Sequence, residues 1–168
     1  MVKEKTRFLT YSGIGIALVA AITLMVQVPI PQTKGYINLG DAMIMVMALL
    51  FGWKVGFLAG GLGSALADLI GGYAHWAPFT LLIKGVEGLL VGLIAFRDKK
   101  PSTRLVACVI GGLEMVAGYF FVEVFLYGKG AALAEVPGNF FQAGVAAIVA
   151  PLFTLLLVRL GDAIAHRA

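Results

Sequence analysis

Long apolar runs alternate along this chain with short clusters of proline, glycine and charge, and most of the runs are about as long as a membrane-crossing helix. A hydrocarbon core of about 30 Å needs around 20 apolar residues per helix. The pattern predicts six helices: Phe8 to Val28, stopped by Pro29 and Pro31; a short one from Asp41 to Phe51; then Lys54 to Ile70, Ala77 to Phe96, Thr103 to Tyr127 and Val136 to Ile164. The connections are short and leave no room for a soluble domain, a repeat array or a low-complexity tail. Residues 1–168 therefore read as one all-α membrane domain, a compact bundle of six transmembrane helices.

Composition strengthens that picture. Of the 168 residues 60% are hydrophobic and 13% charged, and the mean hydropathy is +0.95. A chain of this size leaves too much surface exposed to hide so much apolar area in water. Lys3, Lys5 and Arg7 before an apolar run resemble the start of a secretory signal. The run is too long for that, and no small-residue cleavage site precedes Gly35, so it reads as a retained first helix.

Basic residues orient the bundle, because loops rich in Lys and Arg stay in the cytoplasm. Lys3, Lys5, Arg7, Lys54, Arg97, Lys99, Lys100, Arg104, Arg159 and Arg167 fall on one side of a six-helix chain, and Lys34 and Lys129 on the other. Both termini are expected to be cytoplasmic. The net charge of +4 then reflects topology, with no call for a nucleic-acid partner.

Five ionisable side chains interrupt the apolar runs: Asp68, Lys84, Glu87, Glu114 and Glu123. Each costs about 2.5 to 3.5 kcal/mol at membrane depth on insertion scales, so such residues mark function by default. In the six-helix topology Lys84 and Glu87 lie in the outer half or near the midplane. Tyr119, Glu123 and Tyr127 line the outer half of the fifth helix, Asn139 and Gln142 lie near the outer end of the sixth, and Asp68 sits at the margin. Polar groups thus gather toward the exterior, as in a pocket opening outward.

Spacing supplies faces. Lys84 and Glu87 are three residues apart and can either neutralise each other or serve a site. Asn139 and Gln142 share a face that suits interhelical hydrogen bonds or ligand contact. Glu114, among Gly111, Gly112 and Gly118, reads as part of a packing seam, and Asp41 as the N-cap of the second helix. Gly52, Gly56, Gly60, Ser64 and Asp68 recur every four residues, and Gly85, Gly88 and Gly92 line the fourth helix. Both are expected packing faces. Gly13, Ala17 and Ala21 form a similar stripe on the first helix, for internal packing or for docking a partner's helix.

Catalysis is disfavoured. The chain has no G-x-x-x-x-G-K-S/T phosphate loop, no H-E-x-x-H metal motif and no G-x-S-x-G elbow, so no catalytic residue, cofactor or metal is expected. His75 and His166 are too far apart to be co-ligands; His75 reads as a loop residue near the pocket, and Cys108 as packing.

The segments Gly35-Tyr36-Ile37-Asn38-Leu39-Gly40-Asp41-Ala42, Leu50-Phe51-Gly52-Trp53-Lys54-Val55-Gly56, Gly63-Ser64-Ala65-Leu66-Ala67-Asp68, Trp76-Ala77-Pro78-Phe79-Thr80 and Lys84-Gly85-Val86-Glu87-Gly88 resemble the S components of bacterial energy-coupling-factor (ECF) vitamin transporters. Size, helix number and expected topology agree along essentially the whole chain. The resemblance implies a multi-pass protein of the bacterial cell membrane that captures a vitamin or vitamin precursor from outside. It implies partners as well: a transmembrane coupling subunit, docked on Ala17 and Ala21 of the Ala17-Leu18-Val19-Ala20-Ala21 motif, and two cytoplasmic ATPases. Release would follow tipping of the whole S component in the membrane.

Within that family the chain is most similar to the hydroxymethylpyrimidine or vitamin B6 group, with riboflavin, pantothenate or another vitamin as alternatives. A hydroxymethyl-bearing heteroaromatic ring suits stacking on Tyr36, Trp76, Tyr119 or Phe120 and hydrogen bonds from Asn38, Lys84, Glu87, Glu123, Asn139 or Gln142. Two further readings, a proton-coupled secondary transporter using Glu114 or Glu123 and a membrane enzyme using Glu87 or Glu123, predict activity by the chain alone.

Overall fold

The structure, a computed structural model, describes residues 2–96, 98 and 100–165. Arg97, Lys99, His166 and Arg167 lie outside the described residues. Among those described the order is α1 (Val2–Met25), β1 (Gln27–Ile30), β2 (Gly35–Asn38), α2 (Gly40–Phe51), α3 (Trp53–Gly71), α4 (Ala77–Ala95), α5 (Pro101–Tyr127) and α6 (Lys129–Ala165). Six helices are present, and five are long and apolar enough to cross a membrane. With 12 residues α2 is only about 18 Å long, well short of a hydrocarbon core.

Successive helices run in opposite directions, so both ends of α2 meet other elements. Its first residue, Gly40, lies against Thr23 near the end of α1, and its last, Phe51, stacks on Tyr11 near the start of α1 with ring centroids 4.4 Å apart. Since α2 is apolar all round it sits in the middle, as such a helix must. Met45 and Leu49 pack with Val91, Ala107, Cys108, Ala146 and Ala150 of α4, α5 and α6, while Ile44 and Met47 pack with Val19, Val55 and Ala59 of α1 and α3. The outer faces are apolar too: Leu69, Leu82, Leu93, Leu113, Phe121, Phe125, Phe141 and Ile148 are all exposed. Charges inside and large apolar side chains outside are what a lipid solvent imposes.

The expected glycine seam is present. A Cβ on Gly56 would stand 2.6 Å from the Gly88 carbonyl oxygen, and one on Gly61 equally close to that of Leu81, so the backbones of α3 and α4 pass in direct contact. The two small-residue faces of α1 separate. Gly15 points inward at Met47 and Ala59, beside buried Ser12, Val19 and Thr23. Gly13, Ala17 and Ala21 are exposed, and nothing lies within 4 Å of a Cβ placed on Gly13.

Two boundaries depart from expectation. The first helix stops at Met25, and the segment through Pro29 and Pro31 is an antiparallel hairpin with Val28 opposite Ile37 and Pro29 opposite Tyr36. Proline ended the helix as its chemistry requires, and residues 27–30 and 35–38, on either side of the turn at 31–34, then paired. The last helix begins at Lys129 instead of Val136 and runs through Pro137. The chain reverses at Gly128, whose φ of 84° suits glycine and whose N–H bonds the Val124 carbonyl, so helix resumes at once. Between α4 and α5 Asp98 accepts from Lys100 N at 2.8 Å; that bond, followed by others nearby, holds its carboxyl below the usual range.

Lys34 and Lys129 lie at the hairpin end of the bundle. Lys3, Lys5, Arg7, Lys54, Lys100, Arg104 and Arg159 belong to the opposite end.

Candidate functional site

At the hairpin end, residues of the hairpin and of five helices converge on a cavity of about 20 Å³. Its wall is formed by Gly35, Tyr36 and Asn38 of the hairpin, Thr23 of α1, Ser64 and Asp68 of α3, Trp76, Thr80 and Lys84 in and just before α4, Tyr119 of α5, and Glu135, Asn139 and Gln142 of α6. That volume holds about one water, so a ring-sized ligand enters only if the wall moves. A wider groove of about 640 Å³ opens at the other end between Phe8, Phe51, Trp53 and Phe96. It has Lys54 and Asp98 at its edge but, among the described residues, no convergent buried polar groups, so it is the weaker candidate.

Lys84 is the centre of the floor, 1% exposed. Its Nζ bonds Asp41 Oδ1 and lies 3.7 Å from Glu87 Oε2. The ammonium also sits 5.4 Å from the Tyr119 ring, a cation–π distance. Tyr119 in turn donates to Thr80 Oγ1 at 3.0 Å. Asp41 additionally accepts from Gln142 Nε2 at 2.9 Å, so α2, α4 and α6 meet at one carboxylate.

Asp41 is therefore not the N-cap that its position suggests. Leu39 holds the cap position, and the start of α2 is bonded by Asn38, whose Oδ1 accepts from Gly40 N at 2.8 Å. Asp41 lies inside the first turn and points into the bundle, where a buried lysine outweighs any helix amide. The expected Lys84–Glu87 partnership is secondary for the same reason. Glu87 is fully buried beneath the floor, off the cavity wall, and neither of its oxygens has a hydrogen-bond partner among the described residues.

The hairpin forms the cover and is tied down at several points. Tyr36 donates to Asp68 Oδ1 at 2.6 Å, Trp76 Nε1 donates to the Lys34 carbonyl at 3.2 Å, and Asn38 N donates to Gln142 Oε1 at 2.6 Å. Thr33 donates to Glu135 Oε2. Trp76 is the aromatic hub, with ring centroids 5.7 Å from Tyr119 and 6.0 Å from Tyr127.

Of the residues singled out from sequence, Tyr36, Asn38, Trp76, Lys84, Tyr119, Asn139 and Gln142 share this wall. Glu123 is fully buried and faces Glu135 and Asn139, behind the wall. Glu114 is half-buried and apart from it, and His75 is exposed in the loop. Asp68 is a wall residue and not marginal. Sequence reasoning missed Thr33, Thr80 and Glu135. Glu135 was hidden because the residues before Val136 read as loop; the left-handed glycine at 128 was the available signal that helix resumed earlier.

Comparison with known proteins bears on the whole chain. Residues 3–159 match the family described as "ECF-type riboflavin transporter, S component". The thiamine precursor transporter HmpT of Lactococcus lactis is 32% identical over 162 residues, 96% of this chain and 93% of that one. An uncharacterised protein of Pyrococcus woesei is 50% identical over 125 residues, 74% of this chain and 84% of its own. A UPF0397 protein of Streptococcus agalactiae is 36% identical over 84 residues, half of this chain and 46% of that protein.

Proposed function

This chain belongs to the family of ECF-type riboflavin transporter S components, proteins of transport and not enzymes, and on that premise we propose that it binds a one-ring, uncharged or cationic vitamin precursor of the hydroxymethylpyrimidine type. The observation that carries the reading is the hairpin-end cavity, where Tyr36, Trp76 and Tyr119 offer ring faces or edges and Asn38, Lys84, Asn139 and Gln142 offer hydrogen bonds. Charge narrows the ligand. Lys84 is already neutralised by Asp41, and Asp68 and Glu135 add carboxyl groups to the wall, so little positive potential is left for a carboxylate such as pantothenate or for a phosphate ester. Size narrows it further. A cavity this contracted opens for a single ring with less displacement than for the three fused rings of riboflavin. The thiamine-precursor name of HmpT points the same way.

In this proposal the chain is a single domain crossing the cell membrane six times, α2 crossing with help from the hairpin. Its termini are cytoplasmic and its cavity faces out, as the basic residues at the opposite end favour. A transmembrane coupling subunit and two ATPases drive uptake. The exposed stripe of Gly13, Ala17 and Ala21 is the docking face, which a partner's helix can approach closely.

Titration calorimetry of the purified chain with hydroxymethylpyrimidine is expected to show saturable binding that pantothenate and pyridoxal phosphate do not compete away. Binding of the anions with equal strength would reject the charge argument, and absence of any saturable vitamin binding would reject the reading. Ala17→Trp or Ala21→Trp is expected to leave that titration unchanged while abolishing co-purification with the coupling subunit. Unimpaired assembly of both variants places the docking face elsewhere.

A further inference from the structure

Asp41 does not touch the cavity, yet it holds two of its walls. Fully buried in the first turn of α2, it uses both oxygens across the bundle: Oδ1 accepts from Lys84 of α4 and Oδ2 from Gln142 Nε2 of α6. Gln142 then accepts from Asn38 N of the hairpin through Oε1 at 2.6 Å, and the Asn38 side chain returns to Gly40 N beside Asp41. A carboxylate only accepts and a backbone N–H only donates, so the amide between them has one allowed orientation. The polarity of the whole chain of bonds, from Lys84 to the strand covering the cavity, is set at Asp41.

We propose that Asp41 is the positioning residue of this site, aiming the Lys84 ammonium from below and, through the oriented amide of Gln142, fixing β2 above the ligand. The proposal rests on the reading of the cavity as the ligand site. Its consequence is polarity-specific. In Asp41→Asn the new amide still accepts from Lys84, but its Nδ2 meets Gln142 Nε2, donor against donor. Flipping Gln142 moves the mismatch to Asn38 N–H. One link is lost either way. Adding Gln142→Glu repairs it: Asn at 41 donates to Glu at 142, which accepts from Asn38 N–H, and the carboxylate is retained one link along. A residue needed only for packing, or only for its charge, predicts no such rescue.

The test uses the purified chain in detergent, with hydrogen exchange at the Asn38 amide and calorimetric titration by hydroxymethylpyrimidine. Asp41→Asn is expected to speed Asn38 exchange without ligand about tenfold and to weaken binding by about tenfold, as loss of one buried hydrogen bond implies, and the double variant to recover most of the exchange protection. Unchanged exchange and affinity in Asp41→Asn, or loss of Asn38 protection without its recovery in the double variant, overturns the proposal. If wild type binds no hydroxymethylpyrimidine, the ligand reading fails, while exchange still decides whether Asp41 positions the hairpin. If Asp41→Asn does not fold, Gln142→Met supplies the same exchange measurement with the Lys84–Asp41 bond intact, and unchanged Asn38 exchange there overturns the relay.

Discussion

Lys84→Met is expected to lose ligand binding and a large part of the stability together. Among the described residues its ammonium is the one cation against two fully buried carboxyls, Asp41 and Glu87. Removing one partner of a buried ionic cluster leaves the others uncompensated, at about 3–5 kcal/mol. Ligand affinity should fall about 10- to 100-fold, the worth of a charged hydrogen bond. Denaturant unfolding in detergent and calorimetric titration measure the two effects. Pairing the change with Asp41→Leu should return part of the stability, because an apolar pair of similar volume often replaces a buried ion pair without loss, but it should not return binding. A Lys84→Met protein with wild-type unfolding and affinity would show that the ion pair matters for neither.

Gly56→Val is the second large effect, and it is purely steric. The first atom of any side chain there would stand 2.6 Å from the Gly88 carbonyl oxygen, closer than real contacts allow. The obstacle is backbone and not a movable side chain, so α3 and α4 must separate. Overpacking of this kind costs about 1–3 kcal/mol and sometimes more, and here it also displaces Lys84 on α4 and Asp68 on α3, on either side of the cavity. Thermal unfolding should show a clear loss for Gly56→Val and almost none for Gly13→Val, whose Cβ meets nothing within 4 Å. Equal melting of the two variants would mean that the seam is looser than the structure has it.

The contrast between those glycines shows where sequence reading reached its limit. Four-residue spacing marked both stripes as close-approach faces and could not say which one another helix of this chain already occupies. Gly56 meets Gly88 inside the bundle, while Gly13, Ala17 and Ala21 lie exposed on the outer face of α1. The site divides in the same way. Lys84, Tyr119, Asn139 and Gln142 were legible as polar groups gathered at one end of apolar helices, because lipid excludes such residues unless they are used. Asp41 was misjudged because a carboxylate at a helix start is usually a cap, and its real partner lies 43 residues away. Glu87 was assigned to the site through its spacing from Lys84, although helix rotation sets it below the cavity.

By itself the sequence determined the solvent, the helices and their alternating directions, since hydrophobic length, proline, glycine and charge act on the chain locally and against lipid. Its resemblance to ECF S components also indicated the family. Tertiary structure alone decided that residues 27–38 form a hairpin over a contracted cavity, that Asp41 completes the buried ion pair, and that Gln142 reaches Asn38 across 104 residues of chain. Such bonds depend on where helices cross and how they are turned, and no periodicity along one segment records the rotation of another.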